Sequence, residues 1–368
     1  MYEESVDGSM KNITVDARMI NASGIGTVIQ NILANLIQQR PQWIFTVIGR
    51  EEILNKYDFI KYSNVNLVYC YAPIYSLREQ FELPIKIPKE TDLVWIPHYN
   101  IPVLYFGKMI VTVHDVFHLA MPQFVNGILK RLYARIMFNM VSIKANKIIA
   151  VSHFTETELE RYVHIDKNKV RVIYNGIDEN WFRLAKGTNI RCNPYILYVG
   201  NVKPHKNLKV LLKAFSKLNT KEKYDLIIVG KKDGFITNDE EIKNYISSNV
   251  YFTGYVENNL LKQYYKQASL FVYPSLYEGF GLPPLEAMAC GVPVIASNIP
   301  AVAEVVGDAA LLFDPLDEVE LKNNIEILLH DSALRNIIIQ RGFQRCQTYN
   351  WNEVVSSFIE TIEESFNS

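Results

Sequence analysis

Short runs of β-branched and aliphatic residues alternate with longer amphipathic stretches along almost the whole chain. Strands covered by helices on both faces become near-continuous apolar runs, so this alternation reads as βαβ units in a parallel sheet. In the first half the runs are NITVDA, FTVIG, VNLVYC, DLVWIP, MIVTVHD and KIIAVS, and VRVIYNGID (170–178) adds one more strand and a turn. Helical spacing fills the gaps, most clearly over Gly26–Gln39 and Asn126–Ala145. A polar, glycine-containing stretch, RLAKGTNIRCNP (183–194), then interrupts the pattern and is read as a linker. Beyond it the alternation restarts with YILYVGN, DLIIVG, VYFTGYV, LFVYPS, PVIAS and ALLFDP. The pattern predicts an α/β protein of two Rossmann-like, doubly wound domains facing each other across a cleft, residues 10–184 and 185–349. An amphipathic helix over 350–368 falls outside the second sheet pattern.

Composition agrees with two cores. At 368 residues, 49% hydrophobic and 21% charged, the chain carries ample apolar material for a globular protein of that size. A formal net charge of −1 gives no support to nucleic-acid binding. The balance is about +3 over residues 1–190 and about −4 over the rest, which suits a first half that meets an acidic or membrane-borne partner. Cys70, Cys192, Cys290 and Cys346 lie far apart, with no C-x-x-C and no histidines at metal spacing, which fits reduced thiols. No apolar run reaches about 18 residues, so no spanning helix is expected. The start, MYEESVDGSMKNITVDA, is too acidic and polar for a secretory signal, and Met10 is read as an alternative start after a leader of residues 1–9. A cytoplasmic location follows, with peripheral contact at the inner face of the membrane as an extension.

The chemistry concentrates in SLYEGFGLPPLEAMACGVPVIAS (275–297). A strand ends at Pro274, Gly279 and Gly281 shape a loop, and Pro283–Pro284 introduce a short helix closed by Gly291. Such a loop brings backbone N–H groups and a helix N-terminus to the carboxyl edge of a sheet, where anions bind. Glu278 sits on the loop, and Glu286 is expected within about the first turn of the helix. Taken singly, either glutamate is equally well a solvated residue or a complement to the helix dipole. Together with the two glycines and the double proline they read as ligand groups.

Other stretches supply companions. ILYVGNVKPHKNLKVLLKAF (196–215) reads strand, loop, helix, and puts Lys203, His205 and Lys206 where an ammonium can neutralise a pyrophosphate. SGIGTVIQNIL (23–33) places Gly24 and Gly26 between a strand and a helix. A dinucleotide fingerprint needs a third glycine where Ile29 stands, and no acidic residue closes the next strand, so NAD binding is rejected. IVTVHDVFHLAMP (110–122) ends a strand in His114–Asp115, and IPHYNIP (96–102) brings His98, Tyr99 and Asn100 to another strand end. The stretch at 126–147 mixes Lys130, Arg131, Arg135, Lys144 and Lys147 with large apolar residues. It reads equally as a core-facing helix with basic exposed positions or as a membrane-surface helix suited to a lipid-linked acceptor.

The segment from Glu278 to Glu286 resembles the E-x7-E signature of retaining glycosyltransferases of the GT-B fold, the large family numbered four, and the PHKN loop resembles mannosyltransferase-like bacterial members. The resemblance runs from the glycine loop to the last helix, though only these two segments are specific. It implies a C-terminal helix that crosses back to the N-terminal domain. It also implies that Glu278 contacts the donor sugar's hydroxyls, that Glu286 holds the nucleotide ribose, and that Lys206 meets the diphosphate. Gly200, Asn201, Lys203, Phe280, Gly281 and Leu282 complete the donor side, with the backbone N–H groups around Phe280–Leu282 facing the departing charge. Gly24 and Gly26 then approach the diphosphate and the acceptor, His114 lies beside the sugar near C6, and His98, Tyr99 and Asn100 are acceptor-side candidates. Many relatives carry an arginine where this chain has Asn201, which leaves Lys203 as the substitute or the site one cation short. The implied reaction moves a hexose from a nucleotide-diphosphate sugar, with a lean to GDP-mannose, onto a saccharide or lipid-linked acceptor for a bacterial surface polysaccharide. No cofactor is implied, and the absence of a D-x-D pair at a strand end argues against an essential metal. A nucleotide-sugar epimerase and a non-catalytic nucleotide-binding protein remain the alternatives.

Overall fold

The computed structural model describes residues 10–182, 191, 193–220, 222–230 and 244–367. Residues 1–9, Cys192 and most of the stretch read as a linker lie outside them. The chain forms two compact units, one of residues 1–175 with 351–368 and one of residues 176–350. The division falls between Asn175 and Gly176, before the polar stretch that marks the break in the sequence pattern. Its physical basis is a pairing of Ile177 with Asn350, in which the Ile177 N–H donates to the Tyr349 carbonyl at 2.8 Å. The two segments that lead out of the second unit are thereby tied to each other inside it.

The first unit holds a seven-stranded parallel sheet. Its strands are β1 (Asn12–Asp16), β2 (Ile44–Gly49), β3 (Val65–Tyr69), β4 (Leu93–Ile96), β5 (Met109–Val113), β6 (Lys147–Ala150) and β7 (Val170–Val172). Their order is β3-β2-β1-β4-β5-β6-β7, so the winding reverses between β1 and β4. β4 and β5 are buried at every position, as expected for strands covered on both faces. The helix Ser23–Gln39 turns Val28, Ile29, Ile32, Leu33, Leu36 and Ile37 inward at helical spacing. The helix Trp351–Asn367 joins the same core through Val355, Phe358 and Ile362, with Phe358 4.7 Å from the Trp95 ring of β4. The C-terminal helix thus belongs to the first unit.

The second unit holds β8 (Tyr195–Val199), β9 (Asp225–Val229), β10 (Val250–Gly254), β11 (Leu270–Tyr273), β12 (Val294–Ser297) and β13 (Leu311–Phe313), all parallel. The order β10-β9-β8-β11-β12-β13 reverses between β8 and β11. Its core packs Leu208, Leu211, Leu212 and Phe215 of the helix Leu208–Ser216 with Leu321, Ile325 and Leu328 of the helix Glu318–His330. In doubly wound sheets the loops at such a reversal diverge and leave a ligand-sized gap at the carboxyl ends of the strands. Each unit therefore has one place where its topology favours a site.

Candidate active site

In the second unit that place lies between the loops after β8 and β11. Pro204–Lys206 form one turn of 3-10 helix, and Asn207 follows in the left-handed conformation, its amide donating to the Pro315 carbonyl at 2.7 Å. The Leu276 N–H donates to the His205 carbonyl at 2.8 Å, which joins the two loops. Lys206 Nζ then lies 2.6 Å from Glu278 Oε1, with the side chains 21% and 13% exposed. Burial acts to raise the Glu278 pKa, but the Lys206 ammonium overrides it and holds the carboxyl below its ordinary value. Lys206 and Glu278, seventy-two residues apart in the sequence, form one ion pair.

The helix after the β11 loop runs Leu282–Ala289. Gly281 caps it at φ 118°, a backbone conformation that side chains resist. Pro283 and Pro284 occupy the second and third helical positions rather than preceding the helix. They carry no N–H, so Leu282 and Leu285 are left as first-turn donors. Phe280 is buried and meets the Tyr349 ring edge-on at 5.6 Å, which anchors the loop.

Because the helix starts at Leu282, Glu286 falls in the second turn, and no acidic residue stands in the first. Glu286 Oε2 accepts a 2.9 Å hydrogen bond from Tyr265, whose ring is fully buried and packs edge-on against Trp181 at 5.4 Å. Burial pushes the Glu286 pKa up to about 7, partly offset by the Tyr265 hydrogen bond and by Lys262. This carboxyl therefore does not serve the helix dipole; it is a desolvated acceptor with one oxygen engaged. Gly200 and Asn201 begin the β8 loop, where the Asn201 carbonyl accepts from the Lys203 N–H at 3.0 Å, and Lys203 is exposed.

The reversal in the first unit carries a second polar cluster, at the ends of β1 and β4. Arg18 bridges Asp16 at 2.7 Å and Glu79 at 3.0 Å, and all three side chains are 3% exposed or less. Burial acts against the charge on Asp16, but Arg18 outweighs it and lowers that pKa, whereas burial pushes Glu79 up to about 7. His98 lies in the same cluster, with Nδ1 accepting from the Asn100 N–H at 3.1 Å and Nε2 3.6 Å from Asp16 Oδ2. Asn100 donates to Glu79 and accepts from Tyr133, while Tyr99 stacks on Phe138 at 4.4 Å. His114 donates from Nε2 to the Pro97 carbonyl at 2.9 Å, and burial lowers its pKa to about 4, so it is neutral near pH 7.

Of the paired glycines, Gly26 is buried where a Cβ would meet the Ile20 carbonyl oxygen at 2.4 Å. That close approach accounts for the glycine without a ligand. Gly24 is exposed, with nothing within 4 Å of an added Cβ. Sequence reading missed Asp16, Arg18, Glu79, Tyr133 and Tyr265. The available signal was Asp16 at the end of an apolar strand with Arg18 two residues beyond; Glu79 and Tyr265 stand within ordinary amphipathic helices.

Two doubly wound α/β domains in one chain, each with polar groups gathered at its reversal, define the GT-B class. The structure resembles that of Anabaena Alr3699/HepE in complex with UDP and glucose, with a TM-score of 0.77 at 19% identity, covering 96% of this chain and 100% of that one. At that identity the likeness is one of fold. Residues 22–181 match the family model Glycosyltransferase Family 4, and residues 184–345 match Glycosyl transferases group 1. The chain belongs to the family-four glycosyltransferases, and it is an enzyme of that class. It is 29% identical over 270 residues to O-antigen chain mannosyltransferase B of Escherichia coli, covering 68% of this chain and 69% of the relative. To O-antigen chain mannosyltransferase RfbU of Salmonella typhimurium it is 33% identical over 228 residues, 61% of this chain and 62% of the relative, so it spans less than two thirds of RfbU. Among the described residues no helix is long and apolar enough to cross a membrane.

Proposed function

We propose that this glycosyltransferase moves a mannosyl group, with retention, from GDP-mannose to a saccharide or lipid-linked saccharide of an O-antigen-like surface polysaccharide. The Lys206–Glu278 pair at the reversal of the second sheet carries this reading. Two O-antigen mannosyltransferases among the relatives support the sugar and the product. A cation and a carboxylate in contact can separate onto neighbouring groups of one ligand, Lys206 onto the diphosphate and Glu278 onto the sugar hydroxyls. Glu286, backed by Tyr265, offers its other oxygen to the ribose.

In the proposed reaction the acceptor hydroxyl attacks the anomeric carbon on the face that the diphosphate leaves. The bond from that carbon to the diphosphate oxygen breaks as the new glycosidic bond forms, and the hydroxyl proton passes to the departing oxygen. Lys206 and the N–H groups of Gly281 and Leu282 stabilise the charge that grows on the diphosphate. His114, neutral and donating to Pro97, serves as a hydrogen-bonding wall rather than a charge. The reaction proceeds without a metal ion.

Purified enzyme offered a panel of nucleotide sugars tests the proposal. Slow hydrolysis should be fastest with GDP-mannose and persist in excess EDTA. Preference for a UDP-sugar overturns the donor, and loss on chelation with rescue by manganese overturns the metal-free step. Interconversion of sugars without transfer would point to an epimerase instead.

A further inference from the structure

The two carboxylates at the reversal of the second sheet are held in different ways. Glu278 meets an ammonium, that of Lys206 at 2.6 Å. Glu286 meets a phenol: Tyr265 donates to its Oε2 at 2.9 Å, and among the described residues no other hydrogen bond or ion pair reaches this carboxylate. Oε2 is engaged and Oε1 is not.

Tyr265 is the one buried residue of the helix Asn258–Gln267. Its ring packs against Trp181, edge-on at 5.4 Å, and against Phe271 of β11, tilted at 5.4 Å. Trp181 ends the 3-10 turn Glu179–Trp181, and Lys262, one turn before Tyr265, lies 5.3 Å over its ring. The Trp181 carbonyl accepts from the thiol of Cys290, which caps the helix that carries Glu286. Tyr265, Trp181 and that helix are therefore fixed against one another. The C–O bond of a phenol lies on the ring axis, so a ring seated this way also fixes its hydroxyl.

Packing alone needs only the ring, which phenylalanine would supply equally well. A hydroxyl at a fully buried position costs free energy unless it finds a partner, and here the partner is a carboxylate at the sheet reversal. Burial and the Glu286 charge both keep the phenol protonated. An unrestrained glutamate side chain must be ordered when a ligand binds, and that ordering weakens binding. A fixed phenol removes the freedom beforehand. Unlike an ammonium it brings no charge, so Oε1 keeps its strength as an acceptor.

We propose that Tyr265 is a positioning residue for the nucleotide ribose and sets a preference for ribose over deoxyribose, holding Oε2 of Glu286 so that Oε1 accepts from a ribose hydroxyl. The inference rests on the placing of Glu286 at the ribose and adds the residue that makes this carboxylate selective.

Calorimetric titration of the full chain with GDP, UDP and ADP first selects the nucleoside diphosphate that native protein binds most tightly. That diphosphate and its 2′,3′-dideoxy form are then the probes. Native protein should prefer the ribose form by more than about tenfold, as expected for hydrogen bonds to a charged acceptor. Tyr265→Phe keeps the ring and should weaken the ribose form about five- to tenfold while leaving the dideoxy form nearly unchanged, so the preference narrows. In donor hydrolysis its KM should rise while kcat stays within about twofold, the pattern of lost uniform binding. Trp181→Phe, which trims the seat of the Tyr265 ring and leaves both hydrogen-bonding groups, should narrow the same preference to a smaller extent. Tyr264→Phe, the same change one residue earlier, should leave it intact, and circular dichroism should not change in any of the three. Native affinity in Tyr265→Phe beside a loss in Glu286→Gln overturns the proposal alone, as does a loss that falls equally on both nucleotide forms. Native protein that binds none of the three diphosphates, or Glu286→Gln protein that binds as the native does, overturns the donor reading together with the proposal.

Discussion

Replacing Lys206 by methionine should destabilise the second unit in a way that depends on pH. The ammonium is 2.6 Å from the Glu278 carboxylate, and neither side chain is more than 21% exposed. At that separation and an effective dielectric constant of about 20, the gross attraction is roughly 6 kcal/mol. Desolvation of both charges removes most of it, and a net loss of about 1.5–3 kcal/mol is expected near pH 7. In the native protein Glu278 titrates below its ordinary 4.5, so the pair's contribution is full above that pH and is lost as pH falls through the folded value. Without Lys206, burial is the largest influence left, ahead of the hydrogen bonds from Ser275 and Tyr273, and the folded pKa is expected to rise. The variant should then recover stability between pH 7 and pH 5, and its gap to the native protein should narrow. Hydrogen exchange of β8 and β11 amides in native, Lys206→Met, Glu278→Gln and doubly substituted protein reads the coupling at both pH values. Additive single effects at pH 7, or a gap that does not change with pH, would refute the pairing.

The two glutamates should separate in calorimetric titrations with GDP: Glu286→Ala should weaken binding by about 1.5–3 kcal/mol, while Glu278→Ala should leave it nearly intact and depress transfer. Equal losses would show that the two ends of the donor have been assigned wrongly. Glu79, with its pKa pushed up to about 7 from 4.5, binds a proton on folding between those values, so first-unit stability should fall as pH rises from 4.5 to 7. Glu79→Gln should flatten that descent in pH-dependent exchange of β1 amides, and an unchanged slope would assign it to another group. Gly26→Ala should cost about 1–3 kcal/mol because its Cβ runs into the Ile20 carbonyl, whereas Gly24→Ala, facing open space, should be neutral or stabilising in urea unfolding. Similar costs at both positions would remove the distinction.

The strands were legible because a parallel sheet buried on both faces leaves a run of apolar residues that no other element mimics at that length. All thirteen strands among the described residues coincide with the runs named from the sequence, although β3, β7 and β10 are only partly buried. The candidate site was legible where glycine and proline punctuate the chain, and Lys206 and Glu278, picked out on that ground, stand in contact in the structure. It was not legible where partners are distant in sequence and ordinary in pattern. Glu79 occupies an amphipathic helix and is paired with Arg18, sixty-one residues earlier. Tyr265 sits on a helix of lysines and tyrosines and shows its importance only through the buried hydrogen bond to Glu286. The position of Glu286 was misjudged because proline is tolerated inside a first turn, which moves the helix start back to Leu282.

The helix Trp351–Asn367 completes the core of the first unit, with Phe358 against Trp95. During synthesis the ribosome delivers the seven strands of that unit first, then the whole of the second, and only afterwards the helix that closes over the first sheet. Domains generally fold as units in the order they emerge. Here the first domain to emerge is the last to be finished, and its Trp95 side waits uncovered through the translation of residues 176–350. The second domain, needing nothing from outside its own segment, can reach its native state earlier. Nascent chains halted before residue 351 should therefore carry a folded second domain behind a first one that chaperones still recognise.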